Sequence, residues 1–394
     1  MIDRDRSVVD KVILSGALVG GAGLLLPVFI VKEHRLDAGF PVSFAGMSLP
    51  LFFSALAFLI AIAVVGVLPG LRRRSRNLPA VLAALGLFAL LWAGTGISGA
   101  AELAEYGFER GRVSPSSGFW TVLLAILIVV THSVKQSTSV WLRGCVPLAF
   151  VATLVVLFVG GVIDDLAFVR EYYTREDRFV RELTAHIGIA AGAVAAAVAV
   201  GVPTGILAYR IRSLERPLFA VVNGVQTIPS LALFGLMIAP LALISQRFPV
   251  LRELGIRGVG NTPALLALFL YALLPIVRNT YTSLAVMDPA VIHAGTGMGM
   301  TRRQLMWQVE VPISLPIILA GVRVSIVQTI GNTTVAALIG AGGLGNFVFQ
   351  GLGQAAPDLI VMGVIPIVIL ALLADRIFQL ISEWAVPGPK RGTA

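Results

Sequence analysis

Long runs without a single Asp, Glu, Lys or Arg dominate this chain: Val12–Val31, Ala38–Leu71, Asn77–Ala101, Val113–Val134, Gly144–Ile163, Leu183–Tyr209, Pro217–Gln246 and Gly258–Val277. A helix needs about 20 apolar residues to cross the hydrocarbon core of a bilayer, and each of these runs is long enough. A last region, Val311–Ile381, is interrupted by Arg323, Asp358, Asp375 and Arg376 but has room for two crossings. Ten spans are expected, at roughly 12–31, 49–69, 79–97, 119–133, 146–163, 185–208, 218–244, 263–283, 312–338 and 359–382. The chain therefore reads as an all-α integral membrane protein. Composition agrees: 13% of the residues are charged, against roughly 25% in a soluble domain. That balance excludes a soluble enzyme, a disordered chain and a fibrous protein.

The first run follows Arg4, Arg6 and Lys11 but exceeds the ~7–15-residue core of a signal peptide, so it is read as an uncleaved helix. With the N-terminus in the cytoplasm, sixteen Lys and Arg fall on inner segments and eleven on outer ones. That is the sense of the positive-inside rule, and it places both termini in the cytoplasm. The net charge of +9 is thus read as sidedness and not as a nucleic-acid footprint. The most highly charged stretch, Asp164–Glu182, separates two sets of five spans. The expected division is an N-terminal membrane region at 1–164, a charged outer connector at 165–184, a core at 185–384 and a tail at 385–394.

A single cysteine, Cys145, excludes an internal disulfide and a Cys-based metal cluster. His34, His132, His186 and His293 are scattered, with no pair at helical ligand spacing, so no metal site is expected. The lysines are Lys11, Lys32, Lys135 and Lys390, and none sits in a G-x-x-x-x-G-K-[ST] loop. That loop needs its Lys to reach the terminal phosphates. If ATP drives the protein, another subunit binds it.

The segment 284–316 has a local logic of its own. Asp288 can cap a helix whose first residue is Pro289, where a missing N–H costs nothing. Gly295, Gly297 and Gly299 stop that helix after about two turns. Thr301 with Gln304 makes a capping box for a second short helix, and Pro312 opens the next span. An ordered helix–turn–helix is predicted at the cytoplasmic face, more elaborate than a connector requires.

Its spacing resembles the cytoplasmic motif of binding-protein-dependent ABC importer permeases: Glu-Ala-Ala, three residues, Gly, nine residues, Ile-x-Leu-Pro. His293, Ala294 and Gly295 occupy the first triplet, Gly299 follows three residues later, and Val309, Val311 and Pro312 fall at the required distance. His293 replaces the Glu and Gly295 the second Ala. The resemblance runs through about 185–382 and is closest to permeases of glycine betaine/choline osmoprotectant importers. Gln226-Thr-Ile-Pro-Ser-Leu-Ala-Leu-Phe, Gly297-Met-Gly-Met-Thr, Leu315-Pro-Ile-Ile-Leu-Ala-Gly-Val-Arg and Ala337-Leu-Ile-Gly-Ala-Gly-Gly-Leu-Gly carry it.

The resemblance implies a five-helix type I importer core of the methionine-importer kind, with a coupling loop at 284–311 between its third and fourth helices. It implies a multi-pass protein of the bacterial inner membrane that is not itself an enzyme and holds no cofactor. Two partner ABC ATPases would bind ATP and Mg and dock on Asp288, Pro289, His293, Ala294, Gly295, Gly299 and Thr301. The other implied partners are a second permease copy or sister permease and a periplasmic or lipid-anchored substrate-binding protein.

Polar residues inside spans need separate explanations, because charge at a helix centre costs at least ~2.5–3.5 kcal/mol on insertion scales. Arg323 and Asp375 lie in successive spans. They read either as a structural ion pair or, for Arg323, as a pathway residue. Pro229 interrupts a span and frees a carbonyl, with Gln226, Thr227 and Ser230 beside the break. This is read as either a pathway or gate, or a plain kink. Asn332 and Thr333 are weaker pathway candidates, since such residues often only join helices. The run from Gly340 to Gly345 looks like a phosphate loop but lacks a Lys.

The expected function is the permease subunit of an ATP-driven importer of betaine- or choline-like osmoprotectants, working by alternating access. One rival is the same machine carrying an amino acid or a sulfonate. Another is a stand-alone secondary transporter or channel, which needs an ion-coupling relay within the spans, where Asp375 is the one clear carboxylate.

Overall fold

The computed structural model describes residues 10–35, 37–68, 78–137, 140–253 and 255–385. Arg4, Arg6, Arg72, Arg73, Arg74, Arg76, Lys390, Arg391 and the tail beyond 385 lie outside the described residues. The chain forms two compact units, Met1–Arg175 and Glu176–Ala394.

The first unit begins with α1 (Lys11–Leu24), capped by Asp10, whose carboxylate accepts from the N–H groups of Val12 at 3.1 Å and Ile13 at 3.2 Å. His132 Nε2 lies 3.0 Å from its other oxygen. Burial alone would push the Asp10 carboxyl up, but the bonds from His132 and the two amides outweigh it and hold it below the usual range. After α1 come β1 (Pro27–Lys32), β2 (Phe40–Ser43), α2 (Phe44–Met47), α3 (Leu49–Val67) and α4 (Leu78–Glu105). Then follow β3 (Arg112–Pro115), α5 (Ser117–Gln136), α6 (Val140–Val159) and α7 (Ala167–Thr174).

The strands form an antiparallel sheet in the order β2-β1-β3, which corrects the all-α expectation. The expected first span, 12–31, ends at Leu24 because Pro27 cannot continue the helix, and the β-branched and aromatic run Val28–Val31 pairs as a strand. An apolar count alone does not separate a short strand from a helix end. Val28, Phe29 and Val31 are buried on this sheet, and Trp92 packs edge-on to Phe119 with ring centres 4.9 Å apart.

In the second unit, α8 (Glu176–Arg210) is followed by α9 (Arg212–Thr227), α10 (Ser230–Arg247), α11 (Pro249–Glu253) and α12 (Asn261–Ala285). Two short helices, α13 (Pro289–Gly297) and α14 (Arg302–Leu305), lead through a π turn at Met306–Glu310 into α15 (Val311–Ala336). α16 (Gly345–Gly353) and α17 (Pro357–Ala385) close the unit. The stretch expected as a connector at 165–184 is itself helical, formed by α7 and the first turns of α8. The expected span 218–244 is divided at Ile228–Pro229.

Among the described residues, eight helices are long and apolar enough to cross a membrane, and Lys11–Leu24 and Gly144–Val159 are shorter apolar helices. The protein is thus mostly helical. With 14 residues, α1 is about 21 Å long, short of the ~30 Å hydrocarbon core.

The core of unit two is the mutual packing of α8, α12 and α15. Ala193, Ala197, Ala264, Ala267 and Ala272 are almost fully buried at these contacts, so the helix backbones approach closely. Gly205 marks a tight point on α8: a Cβ there would lie 2.7 Å from Thr280 Cβ and 2.9 Å from the Val277 carbonyl oxygen. Gly205→Leu is expected to lower stability by roughly 1–3 kcal/mol through overpacking. Gly188→Ala, at a helical site with nothing within 4 Å of the added carbon, should instead be neutral or stabilising by up to about 1 kcal/mol. Unfolding midpoints in detergent check both, and equal midpoints for the two variants would contradict this packing.

Candidate functional site

Two places in unit two combine ordered backbone with polar chemistry. The first is the segment between α12 and α15. The Asp288 carboxylate accepts the Ala290 N–H at 2.9 Å, and Pro289 opens α13. Gly299 then takes φ +80°, a left-handed value that reverses the chain at low cost only for glycine. Thr301 and Gln304 form the reciprocal capping box: Gln304 N–H donates to Thr301 Oγ1 at 3.3 Å and Thr301 N–H to Gln304 Oε1 at 2.9 Å.

Asp288, Pro289, His293, Ala294, Gly299 and Thr301 are all exposed. Gly295 is not: it is buried, and a Cβ there would stand 2.5 Å from Leu305 Cδ1. Its place is thus inside the helix pair and not on the outer face. The exposed face also carries two large apolar side chains, Met298 at 76% exposure and Trp307 at 60%. An Arg210 guanidinium N–H donates to the Arg302 carbonyl at 3.4 Å, which ties the end of α8 to α14.

The second place is the break between α9 and α10. Here the chain is extended at Ile228 and Pro229, leaving carbonyls outside the helical ladder. The Gln226 amide donates to the Tyr271 carbonyl at 3.0 Å, and the Tyr271 hydroxyl donates to the Ile228 carbonyl. Two reciprocal bonds from α12 therefore hold the break. The Thr227 hydroxyl returns to the Gly224 carbonyl at 2.7 Å, and Ser230 starts α10 partly exposed. Tyr271 is not among the sequence-predicted residues, because a lone Tyr in an apolar run reads as core; its hydroxyl, which needs a partner when buried, is the available signal.

The remaining predicted residues lie along α15. Arg323 donates from Nε to Asp375 Oδ1 at 2.5 Å and from Nη2 to Asp375 Oδ2 at 2.6 Å, a two-pronged contact between α15 and α17. Asn332 is partly exposed, whereas Thr333 is fully buried with its hydroxyl on the Thr329 carbonyl at 2.7 Å. At the end of α15, the Gly343 N–H donates to Glu182 Oε2 at 2.7 Å, and buried His186 donates from Nε2 to the Ile330 carbonyl at 3.0 Å. The glycine run is thus a turn fastened to α8. Glu310 and Ser314, one helical turn apart, are buried as well. Glu310 is easily missed in sequence, since a lone acid between Val309 and Val311 reads as loop.

Comparison with known proteins gives this arrangement its class. Residues 188–386 match the family described as binding-protein-dependent transport system inner membrane component. The chain belongs to that family, and is a multi-pass inner membrane protein serving as a transport subunit. Residues 7–169 match a second description, ABC transporter permease YehY, N-terminal domain, in a part of the chain where no family motif stands out by eye.

Among curated relatives, the carnitine transport permease protein OpuCB of Listeria monocytogenes is 45% identical over 190 residues, 48% of this chain and 80% of the relative. The osmoprotectant import permease protein OsmW of Salmonella typhimurium is 41% identical over 48% of this chain and 83% of its own length. The glycine betaine/carnitine/choline transport system permease protein OpuCB of Bacillus subtilis is 37% identical over 52% of this chain and 88% of its own. A chain of the MetNI methionine ABC transporter in inward-facing conformations is 23% identical, with TM-score 0.47, over 53% of this chain and 96% of that one.

Two expectations follow. Tyr271→Phe removes the donor to Ile228 and should destabilise the break, by about 1–3 kcal/mol if its carbonyl stays dry. Hydrogen exchange of 226–234 should then accelerate, and unchanged exchange would count against the clasp. For the α15–α17 contact, Arg323→Gln and Asp375→Asn should each lower folded yield, because each removes one side of the two-pronged charge pair. The double variant should recover it; a double variant as poor as either single one contradicts a structural pair.

Proposed function

We propose that this chain is the permease of an ATP-driven importer of osmoprotectants of the betaine, choline and carnitine kind. The observation that carries the coupling role is the exposed, doubly capped segment 288–305, joined without a break to a membrane-spanning helix. Partner ATPases, which hold ATP and Mg, dock on Asp288, Pro289, His293, Ala294, Gly299 and Thr301, with Met298 and Trp307 supplying apolar area. Gly295 acts from inside by letting α13 sit close to α14. The substrate class rests on the relatives, whose names specify carnitine, choline, glycine betaine or osmoprotectants.

The coupling end faces the cytoplasm in this reading, together with both termini. The complex holds two ATPases, a second permease and a binding protein that selects the solute. Nucleotide-driven movement of 288–305 reaches the opposite membrane face through the helical stretch Arg302–Ile339, 38 residues long. Gln226, Thr227, Pro229 and Ser230 lie where backbone is free to line a pathway, since irregular backbone at membrane depth is tolerated beside a cavity. Asn332, partly exposed on α15, joins them, while the buried Thr333 stiffens the helix.

Co-reconstitution with ATPase and binding protein tests the proposal: glycine betaine should stimulate ATP hydrolysis and uptake. Gly299→Asn, which tolerates the left-handed backbone, should retain most activity. Gly299→Trp should cut stimulated uptake at least ten-fold, because its side chain projects into space that nothing in this chain fills. Normal uptake by the Trp variant would remove Gly299 from the docking face. Proton- or sodium-driven uptake by the chain alone would overturn the importer.

A further inference from the structure

A carboxylate is buried at the root of α15 with one oxygen unsatisfied. Glu310 ends the π turn and is 6% exposed, and its Oε2 has no hydrogen-bond partner among the described residues. Ser314, one turn further along the same helix face, is 1% exposed, and its Oγ is unpartnered too. A buried charge left in this way is costly to hold, and π turns occur often at functional sites.

The cations around Glu310 are placed unequally. The Tyr209 phenol near the end of α8 lies within electrostatic reach of Glu310, Arg210 and Arg212, which gathers all three near one ring. Arg212 also acts on Tyr281 beside Glu215, three residues along its own helix, so it has an acid of its own. Arg302 and Arg303 stand eight and seven residues before Glu310 on the same helical stretch, about two turns away, and move with it. Arg210 differs from these: it is exposed, belongs to α8, and holds the Arg302 carbonyl by a long bond of 3.4 Å. A displacement of 288–305 against α8 breaks that bond and frees the guanidinium near a carboxylate with an open oxygen. The exchange replaces a neutral acceptor by a charged one, and Ser314 Oγ can accept a further guanidinium N–H.

We propose that Glu310 is a positioning residue of the coupling step: when 288–305 shifts, its carboxylate takes the Arg210 guanidinium from the Arg302 carbonyl and holds the shifted arrangement. This role rests on the importer reading, in which that segment is the ATPase contact.

The full chain, co-reconstituted with ATPase and binding protein, is assayed for ATP hydrolysis stimulated by glycine betaine. Glu310→Gln and Arg210→Gln should each reduce stimulation by roughly ten-fold or more, the scale of one charged hydrogen bond. The double variant should be no worse than the poorer single one, and losses that multiply overturn the exchange. The unfolding midpoint of Glu310→Gln should stay level or rise, because an unpaired charge is removed; a lower midpoint counts against the exchange. In a chain whose single cysteine is removed by Cys145→Ser, Arg210→Cys offers an exposed thiol. Aminoethyl methanethiosulfonate, which returns a positive charge there, should restore stimulation, and the anionic sulfonatoethyl reagent should not. That rescue should vanish when Glu310→Gln is added; rescue that persists, or that either reagent gives, overturns the role. A wild type without stimulation overturns the importer reading and this role together. A stimulated wild type with unaffected variants overturns this role alone.

Discussion

Backbone inside a bilayer has no water to bond, so a membrane helix must satisfy its own ladder or find partners for what it frees. The stretch from Arg302 to Ile339 stays helical for 38 residues, with Pro316 as a gap in its ladder, and α8, α12 and α17 pack on it. The π turn at Met306–Glu310 lets the ladder pass the junction: the Val311 N–H reaches the Met306 carbonyl, just ahead of Pro312, which has no N–H to give. Along the rod, the Ser325 hydroxyl donates to the Ala272 carbonyl of α12 at 2.9 Å, and His186 of α8 bonds the Ile330 carbonyl. At its far end the Ile339 carbonyl accepts the Gly260 N–H at 2.9 Å.

The pair α9 and α10, of which α10 is long and apolar enough to cross a membrane, is built on the opposite principle. It gives up helical bonds at Ile228 and Pro229 and relies on α12 to satisfy part of what is freed. A continuous helix transmits displacement, whereas a broken one held by two hydrogen bonds can change locally for a small cost. Both lean on α12, which packs on α8 and α15 and carries Tyr271. A shift of the rod against α12 therefore bears on the same helix that clasps the break.

Much of this architecture is legible in the order of residues. Runs of about 20 uncharged residues are hard to house outside a bilayer, and Asp288-Pro289 and Thr301-x-x-Gln304 specify helix starts through chemistry local to the chain. Features set by distant partners are not legible in that way. The strand Pro27–Lys32 depends on β2 and β3 meeting it across the chain, and an apolar run alone favours neither form. The inward turn of Gly295 depends on Leu305, ten residues on. A pairing of Arg323 with Asp375 is one option that the sequence allows, but only the relative rotation of α15 and α17 brings the two together.

That pairing bears on how such a protein can be driven. A transporter run by protons or sodium needs a carboxylate free to gain and lose its cation within the membrane. Asp375 already holds two guanidinium bonds from Arg323, and releasing it would break both. A group so committed is a poor carrier and a good fastener between helices. The segment 288–305 offers different chemistry: helix caps and the left-handed Gly299 order an exposed face outside the long apolar helices. Its backbone runs on through the π turn into α15, so the two are covalently and helically continuous.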